Sequence, residues 1–176
     1  MKTKTIAVIG TKKSGKTTTI TNLIQELTKR GYKVAAIKHI NEPNFTIDTP
    51  NKDTWKYAQA GAKTIIAIAQ NETTTIQKTP IQNQTLTTLL KKCAENDIII
   101  IEGLKQHTAT NKNIPKIIVT KTPEEAADAL KKYKPILAFT GPSPTTTITK
   151  KIPYIDTTKN SQQLATLVIN KLKLKK

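Results

Sequence analysis

Residues 8–19 read Val8-Ile9-Gly10-Thr11-Lys12-Lys13-Ser14-Gly15-Lys16-Thr17-Thr18-Thr19. Within them, Gly10-x-x-x-x-Gly15-Lys16-Thr17 is the full phosphate-binding loop pattern. The apolar run before it, Thr5 to Ile9, predicts a strand, and the run after it, Lys16 to Arg30, predicts a helix. Strand, loop and helix in that order are the context this motif requires, which weighs heavily against a chance match in a Lys- and Thr-rich chain. Glycines let the backbone turn back on itself so that successive N–H groups point inward. Lys16 then reaches the β- and γ-phosphates, the Thr17 hydroxyl is placed to ligate Mg²⁺, and the helix start offers its positive end. Thr11, Ser14 and Thr18 complete the candidate cradle. Lys12 and Lys13 are each either a phosphate contact or a solvated loop lysine, and at least one is expected to be the latter.

Outward from this loop, short β-branched runs alternate with longer helical segments, as a parallel sheet wrapped by helices requires. Strands are predicted over Thr5–Ile9, Lys33–Lys38, Lys63–Ala69, Thr73–Gln77, Asp97–Glu102, Lys116–Thr120 and Pro135–Phe139. Helices are predicted over Lys16–Arg30, Thr54–Ala60, Thr85–Ala94, Pro123–Tyr133 and Ser161–Lys173. Gly31 stands where a left-handed helix cap is wanted, and Ser161 where an N-cap is wanted. Only Gln70-Asn71-Glu72 separates two strand-like runs, which predicts a hairpin and hence a mixed sheet with an antiparallel edge. The expected fold is α/β of the P-loop NTPase kind, a mostly parallel doubly wound sheet. Two long polar loops follow strands, His39 to Asp53 and Leu104 to Asn113; in such sheets these positions form the binding crevice. No internal repeat is visible, and only the terminal KLKLKK suggests disorder.

The 176 residues suit one domain with a sizeable core. A lone cysteine, Cys93, excludes an internal disulfide and multi-cysteine metal sites and suits a reducing cytoplasm. The first apolar run, Ile6 to Ile9, is too short for a signal peptide or membrane span, so an intracellular protein that does not enter membranes is expected. Lys plus Arg 29 against Asp plus Glu 12 gives a net charge of +17. That field attracts nucleic acid, acidic proteins and phosphorylated metabolites alike. The lysines are scattered, only two Phe and one Trp are available to stack on bases, and no basic segment is an Arg-rich arm. Nucleic acid is therefore the less favoured partner.

A nucleoside triphosphate site needs a carboxylate on a neighbouring strand to hold Mg²⁺ and polarise the attacking group. Asp97-Ile98-Ile99-Ile100-Ile101-Glu102-Gly103 supplies it: the isoleucines make a buried strand, Glu102 emerges at its carboxyl end, and Gly103 lets the chain turn. Glu102 and Lys16 are thus the catalytic candidates, and Asp97, at the other end, reads as structural. A third group is Lys38-His39, Asp48 and Asn51-Lys52-Asp53-Thr54-Trp55-Lys56, which places mobile charge beside the phosphates. His39 is an acid/base candidate or a hydrogen-bonded strand-end histidine; Asp53 is a helix cap or a ligand.

The stretches VIGTKKSGKTTTITNLI, VAAIKH, Asp48, NKDTWKYAQAGA and DIIIIEGLK, in that order and spacing, resemble the molybdopterin-guanine dinucleotide biosynthesis adaptor family, MobB. The likeness is close over about the first 105 residues. It implies a P-loop fold, GTP and Mg²⁺ binding, weak GTP hydrolysis, a homodimer, and partnership with the guanylyltransferase that joins GMP to molybdopterin. By motif match, phosphate binding carries to Gly10 through Thr18, and metal or switch roles carry to Asp48 and Glu102. The chain departs from the family at Asn51, where a glycine is usual, and at Ile40-Asn41, where a second histidine is usual. Guanine recognition often uses Asn/Thr-Lys-x-Asp after a strand. Here Thr120-Lys121-Thr122-Pro123-Glu124 has its acid one residue late, and Lys121 is either a lid over a purine or a loop lysine.

Three functions compete: a GTP-binding adaptor, a small-molecule kinase, and a nucleic-acid-binding ATPase. Arginine bears on the choice, since fast phosphoryl transfer usually needs guanidinium groups on the moving phosphate. The chain has one arginine, Arg30. Lying about 14 residues along the first helix from Lys16, it stands roughly 21 Å from the phosphates. A slow hydrolase acting as an adaptor is the expectation.

Overall fold

Ile98 to Ile101 show why the main sheet forms as it does. All four are buried, and successive residues of a strand face opposite sides, so a strand of this kind must be covered on both faces. The computed structural model, which describes residues 3–144 and 149–175, places this strand, β5 (Ile98–Glu102), inside a five-stranded parallel sheet. Its companions are β1 (Lys4–Gly10), β2 (Val34–Lys38), β6 (Lys116–Val119) and β7 (Ile136–Thr140), in the order β2-β5-β1-β6-β7. Residues of one parity, Ile6, Val8, Ile98, Ile100, Ile117 and Val119, join a core with Leu23 and Leu27 of α1 (Lys16–Lys29) and Leu164 and Val168 of α6 (Ser161–Leu172). Those of the other parity, Ala7, Ile9, Ile99, Ile101 and Ile118, are buried as well. α5 (Pro123–Lys132) docks through Ala126 and Ala129.

The chain divides into two compact units: residues 1–39 with 90–176, which carry the parallel sheet, and residues 40–89. The second unit holds α2 (Asp53–Gln59), the strands β3 (Thr64–Ile68) and β4 (Thr73–Gln77), a 3-10 turn at Ile81–Asn83, and the start of α3 (Leu86–Lys92). β3 and β4 pair antiparallel, with Thr64 opposite Gln77 and Ile68 opposite Thr73.

Each predicted strand and helix is present, with ends that match or move by at most two residues. The hairpin forms too, but as a sheet of its own and not as the edge of the parallel one, whose outer strands are β2 and β7. The reason is visible in burial and composition: β3 (Thr-Ile-Ile-Ala-Ile) buries only Ile65 and β4 (Thr-Thr-Thr-Ile-Gln) is mostly polar, so both stay largely exposed, whereas the parallel sheet accepts strands that are apolar on both faces. Gly31 caps α1 as expected, with the Gly31 N–H donating to Thr28 O and the Tyr32 N–H to Leu27 O. Two capping expectations are corrected. Asn160, not Ser161, is the N-cap of α6, and Asp53 is the first residue inside α2, whose N-cap is Lys52. Asp53 instead adds negative charge to the first helical turn, where the dipole favours it. Neither the 3-10 turn nor α4 (Lys105–Thr108), which interrupts the loop after β5, was legible in the pattern. Among the described residues, no helix is long and apolar enough to cross a membrane.

Candidate functional site

Sheet register assembles the site. β1 lies between β5 and β6, with Val8 opposite Glu102 and Gly10 opposite Val119. The loops leaving the carboxyl ends of these three strands are therefore neighbours: Thr11 to Gly15, Gly103 to Leu104, and Thr120 to Thr122. β2 adds its own end, since Lys38 is opposite Glu102.

Gly10 is required by close approach. A Cβ there would stand 2.5 Å from both Ser14 Oγ and the Val119 carbonyl oxygen. The chain then passes through left-handed residues at Lys13 (φ 59°) and Gly15 (φ 96°), and Gly15 is the N-cap of α1. Lys16, Thr17 and Thr18 open that helix, where the first N–H groups have no partner within the helix. Thr17 and Thr18 are exposed, as are Thr11, Lys12 and Lys13, whereas Ser14 is buried and its Oγ has no hydrogen-bond partner among the described residues. A buried unpartnered hydroxyl costs stability, and here it sits inside the loop assigned to phosphate.

Lys16 Nζ donates to the Thr11 carbonyl at 2.6 Å. Its pKa is lowered, first by burial and then by the positive charges of Lys105, Lys38 and Lys121; Glu102 acts in the opposite direction. Four lysines and one carboxylate thus share a neighbourhood that favours anions. Glu102, with a side chain 15% exposed, faces Lys38 Nζ at 3.6 Å. Its carbonyl accepts from the His39 N–H at 2.9 Å, and a Cβ on Gly103 would meet His39 Cβ at 3.0 Å.

On the opposite side of β1, the expected purine lid, Lys121, is exposed. The acid beside it is Glu125, one residue beyond the Glu124 that the sequence suggested. Glu125 accepts from the Lys121 backbone N–H at 2.7 Å and from Thr11 Oγ1 at 3.1 Å, so it ties the phosphate loop to the loop after β6. Glu124 is fully exposed, and the Thr122 side chain holds its carboxyl below the usual range. Ser143 Oγ donates to the Lys121 carbonyl at 2.6 Å, while Thr120 Oγ1 is buried with no partner among the described residues. Glu125 had a readable signal: Thr122-Pro123-Glu124-Glu125 is a capping-box spacing, and Thr122 Oγ1 does accept from the Glu125 N–H.

Asp48 lies in the second unit, buried. Oδ1 accepts from Thr54 Oγ1 at 2.8 Å, and Oδ2 is buried with no partner among the described residues. Lys56 in the same unit pairs with Asp53 at 3.4 Å. Arg30 is committed elsewhere, donating to Thr166 Oγ1 and the Gln162 carbonyl of α6, and Asp97 takes the structural place expected of it, accepting the Lys33 N–H at 2.8 Å. Among the described residues no three His, Cys, Asp or Glu side chains cluster as a metal site. Within the first unit, the exposed Thr17 hydroxyl and the Glu102 carboxylate are hard oxygen donors of the kind that suit Mg²⁺.

The family model for molybdopterin guanine dinucleotide synthesis protein B matches residues 5–141. A molybdopterin-guanine dinucleotide biosynthesis adapter protein of Haemophilus influenzae is 32% identical over 116 residues, 65% of this chain and 61% of that protein. A putative adapter protein of the same description from Methanocaldococcus jannaschii is 35% identical over 118 residues, 67% of this chain and 47% of that one. The matched part thus spans less than two thirds of these relatives' own length. Crystal structures of a molybdopterin-guanine biosynthesis protein B and of Bacillus subtilis MobB superpose with TM-scores of 0.74 and 0.73, each at 22% identity. The first covers 96% of this chain and 99% of its own, the second 98% and 99%, and both confirm the P-loop α/β fold. With its phosphate loop and strand-end acid in place, the chain belongs to the MobB family.

Proposed function

We propose that the chain is a GTP-binding adaptor with weak GTPase activity that acts in molybdenum cofactor biosynthesis. In that role it assists a guanylyltransferase in attaching GMP to molybdopterin, giving molybdopterin guanine dinucleotide. The observation that carries the reading is the phosphate loop itself: Lys16 stands among Lys38, Lys105 and Lys121 with Glu102 as the one acid in its field. Family membership supplies the pathway.

On this reading the backbone of Gly10 to Thr18 wraps the phosphates. Lys16 gives up its bond to the Thr11 carbonyl and turns its ammonium to the anion, exchanging a neutral acceptor for a charged and stronger one. Thr17 and Glu102 are the side chains proposed to hold Mg²⁺. When bound, that ion neutralises charge on the phosphate oxygens. Lys121, braced by Glu125 and Ser143, is the candidate lid for the purine.

A small-molecule kinase is the weaker reading because Arg30 is engaged with α6, which leaves no guanidinium for the moving phosphate. Completion by a second protein fits an adaptor. A homodimer fits as well, since Phe45, Ile47, Tyr57, Ile66 and Ile68 are all exposed and all fall in the second unit. A cytoplasmic setting agrees with the free thiol of Cys93.

The test is a titration of the protein with GTP, ATP and duplex DNA, each with Mg²⁺ at low and at moderate salt. Saturable GTP binding that outranks ATP and survives salt is expected, together with DNA binding that salt abolishes. Equal affinity for ATP and GTP, with DNA retained in moderate salt, reverses the ranking in favour of a nucleic-acid-binding ATPase.

A further inference from the structure

The turn from β5 into α4 is made by two successive left-handed residues, Gly103 (φ 90°) and Leu104 (φ 49°). Glycine explains the first. Leucine has no such freedom, and a left-handed leucine is strained. The conformation is locked from behind. Thr108 is fully buried, and the Leu104 carbonyl accepts from Thr108 Oγ1 at 3.0 Å and from the N–H groups of His107 and Thr108 at 2.9 and 3.1 Å. A short strained turn held this firmly does one visible thing: it brings Lys105 out, exposed, immediately beyond Glu102 at the carboxyl end of β5.

Lys16 and the other two lysines that act on it are engaged. Lys16 donates to Thr11 O, Lys38 faces Glu102, and Lys121 lies 4.0 Å from Glu125. The Lys105 ammonium has no hydrogen bond or ion pair among the described residues, yet of the three lysines around Lys16 it depresses that residue's pKa most. Its position relative to β1 gives its direction. With β6 on one side of β1 and β5 on the other, a purine over Lys121 sends the phosphates across the loop of β1, and the terminal one arrives on the side of β5. Arg30 is tied to α6, so any cation that this chain itself offers there is a lysine.

We propose that Lys105 is a second phosphate-contacting cation, which meets the terminal phosphate of the bound nucleotide and makes the site prefer triphosphate to diphosphate. The proposal rests on the nucleotide-binding reading and deepens it.

The test is calorimetric titration with a non-hydrolysable GTP analogue and with GDP, both with Mg²⁺, on the unmodified protein, Lys105→Gln and Lys105→Arg. Because Lys105 is exposed, both variants should fold, which thermal melting checks. For Lys105→Gln the analogue should bind roughly tenfold more weakly while GDP is nearly unaffected, and Lys105→Arg should recover most of the loss. An equal loss for both nucleotides marks a structural role for α4 and overturns the proposal, as does no loss for either. If the unmodified protein binds neither nucleotide, the nucleotide-site reading fails and this inference with it. Binding by the unmodified protein with no selective loss in Lys105→Gln defeats the inference alone.

Discussion

The two ends of the parallel sheet carry the same chemical groups in opposite circumstances. At the amino end of β6, Lys116 is fully buried, and its Nζ donates to the Asn111 and Lys134 carbonyls at 2.7 and 2.6 Å. At the amino end of β5, Asp97 accepts a backbone N–H from Lys33. At the carboxyl ends, Lys16 has one carbonyl for a partner and other lysines around it, and Glu102 has an exposed lysine at 3.6 Å. Burial lowers the pKa of both lysines. The difference lies in what surrounds them. One end is closed by backbone, so its charged groups hold the fold; the other is left with an excess of cations, so its groups are free to exchange partners for an anion.

The sharpest way to break this contrast is Lys16→Ala. Nucleotide affinity should fall at least about a hundredfold, with the melting temperature little changed, because Lys16 bonds only to a loop carbonyl. Calorimetry with GTP and Mg²⁺ reads the first and thermal melting the second. Unchanged affinity would remove the proposed site. The mirror experiment is Lys116→Met, which keeps the apolar stem and removes the amine. Two carbonyls at that end then lack their partner, and urea unfolding at mildly alkaline pH should show a loss of about 2 kcal/mol, with nucleotide affinity unaltered. A variant as stable as the parent would show that the closed end needs no lysine. Glu102→Gln should be smaller still in energy: GTP is held, and Mg²⁺-dependent hydrolysis drops about tenfold or more. Undiminished turnover would take Glu102 out of the reaction.

How much of this was legible depends on how local the signal is. The phosphate loop and β5 are spelled by adjacent residues, so motif and apolar run placed them directly, and sheet register then had to bring Glu102 beside Lys16. The hairpin was legible as a hairpin, but not as a separate sheet, because membership in a sheet is decided by whether both faces of a strand are covered. α4 has only four residues and no apolar period; it exists because Thr108 is buried and caps the Leu104 carbonyl, which the string does not disclose. The choice of Glu125 over Glu124 is a question of helical phase. Ala126 and Ala129 fix the buried stripe of α5, so Glu125 flanks it and faces the phosphate loop while Glu124 points to water.

The finest test of the comparison is the pH dependence of the closed end. Burial brings Lys116 down to about 8 from an ordinary value of 10.5. Between those values the unfolded chain holds a proton that the native state has released, so stability rises as pH increases through that interval. Below about pH 8 the native state must keep an ammonium buried, and it loses that gain. The geometry agrees: a neutral amine has two N–H donors for the two carbonyls, whereas an ammonium carries a third with no partner among the described residues. Other groups titrate in the same range, so the quantity to measure is the stability difference between the parent and Lys116→Met, in which their contributions largely cancel. That difference should grow by on the order of 1 kcal/mol from about pH 7 to about pH 9 and go on rising toward the ordinary lysine value of 10.5, because the parent alone gains stability as Lys116 gives up its proton. A gap that stays constant, or widens toward neutrality, would mean that Lys116 is buried charged, and the two ends of the sheet would then differ less than their geometry implies.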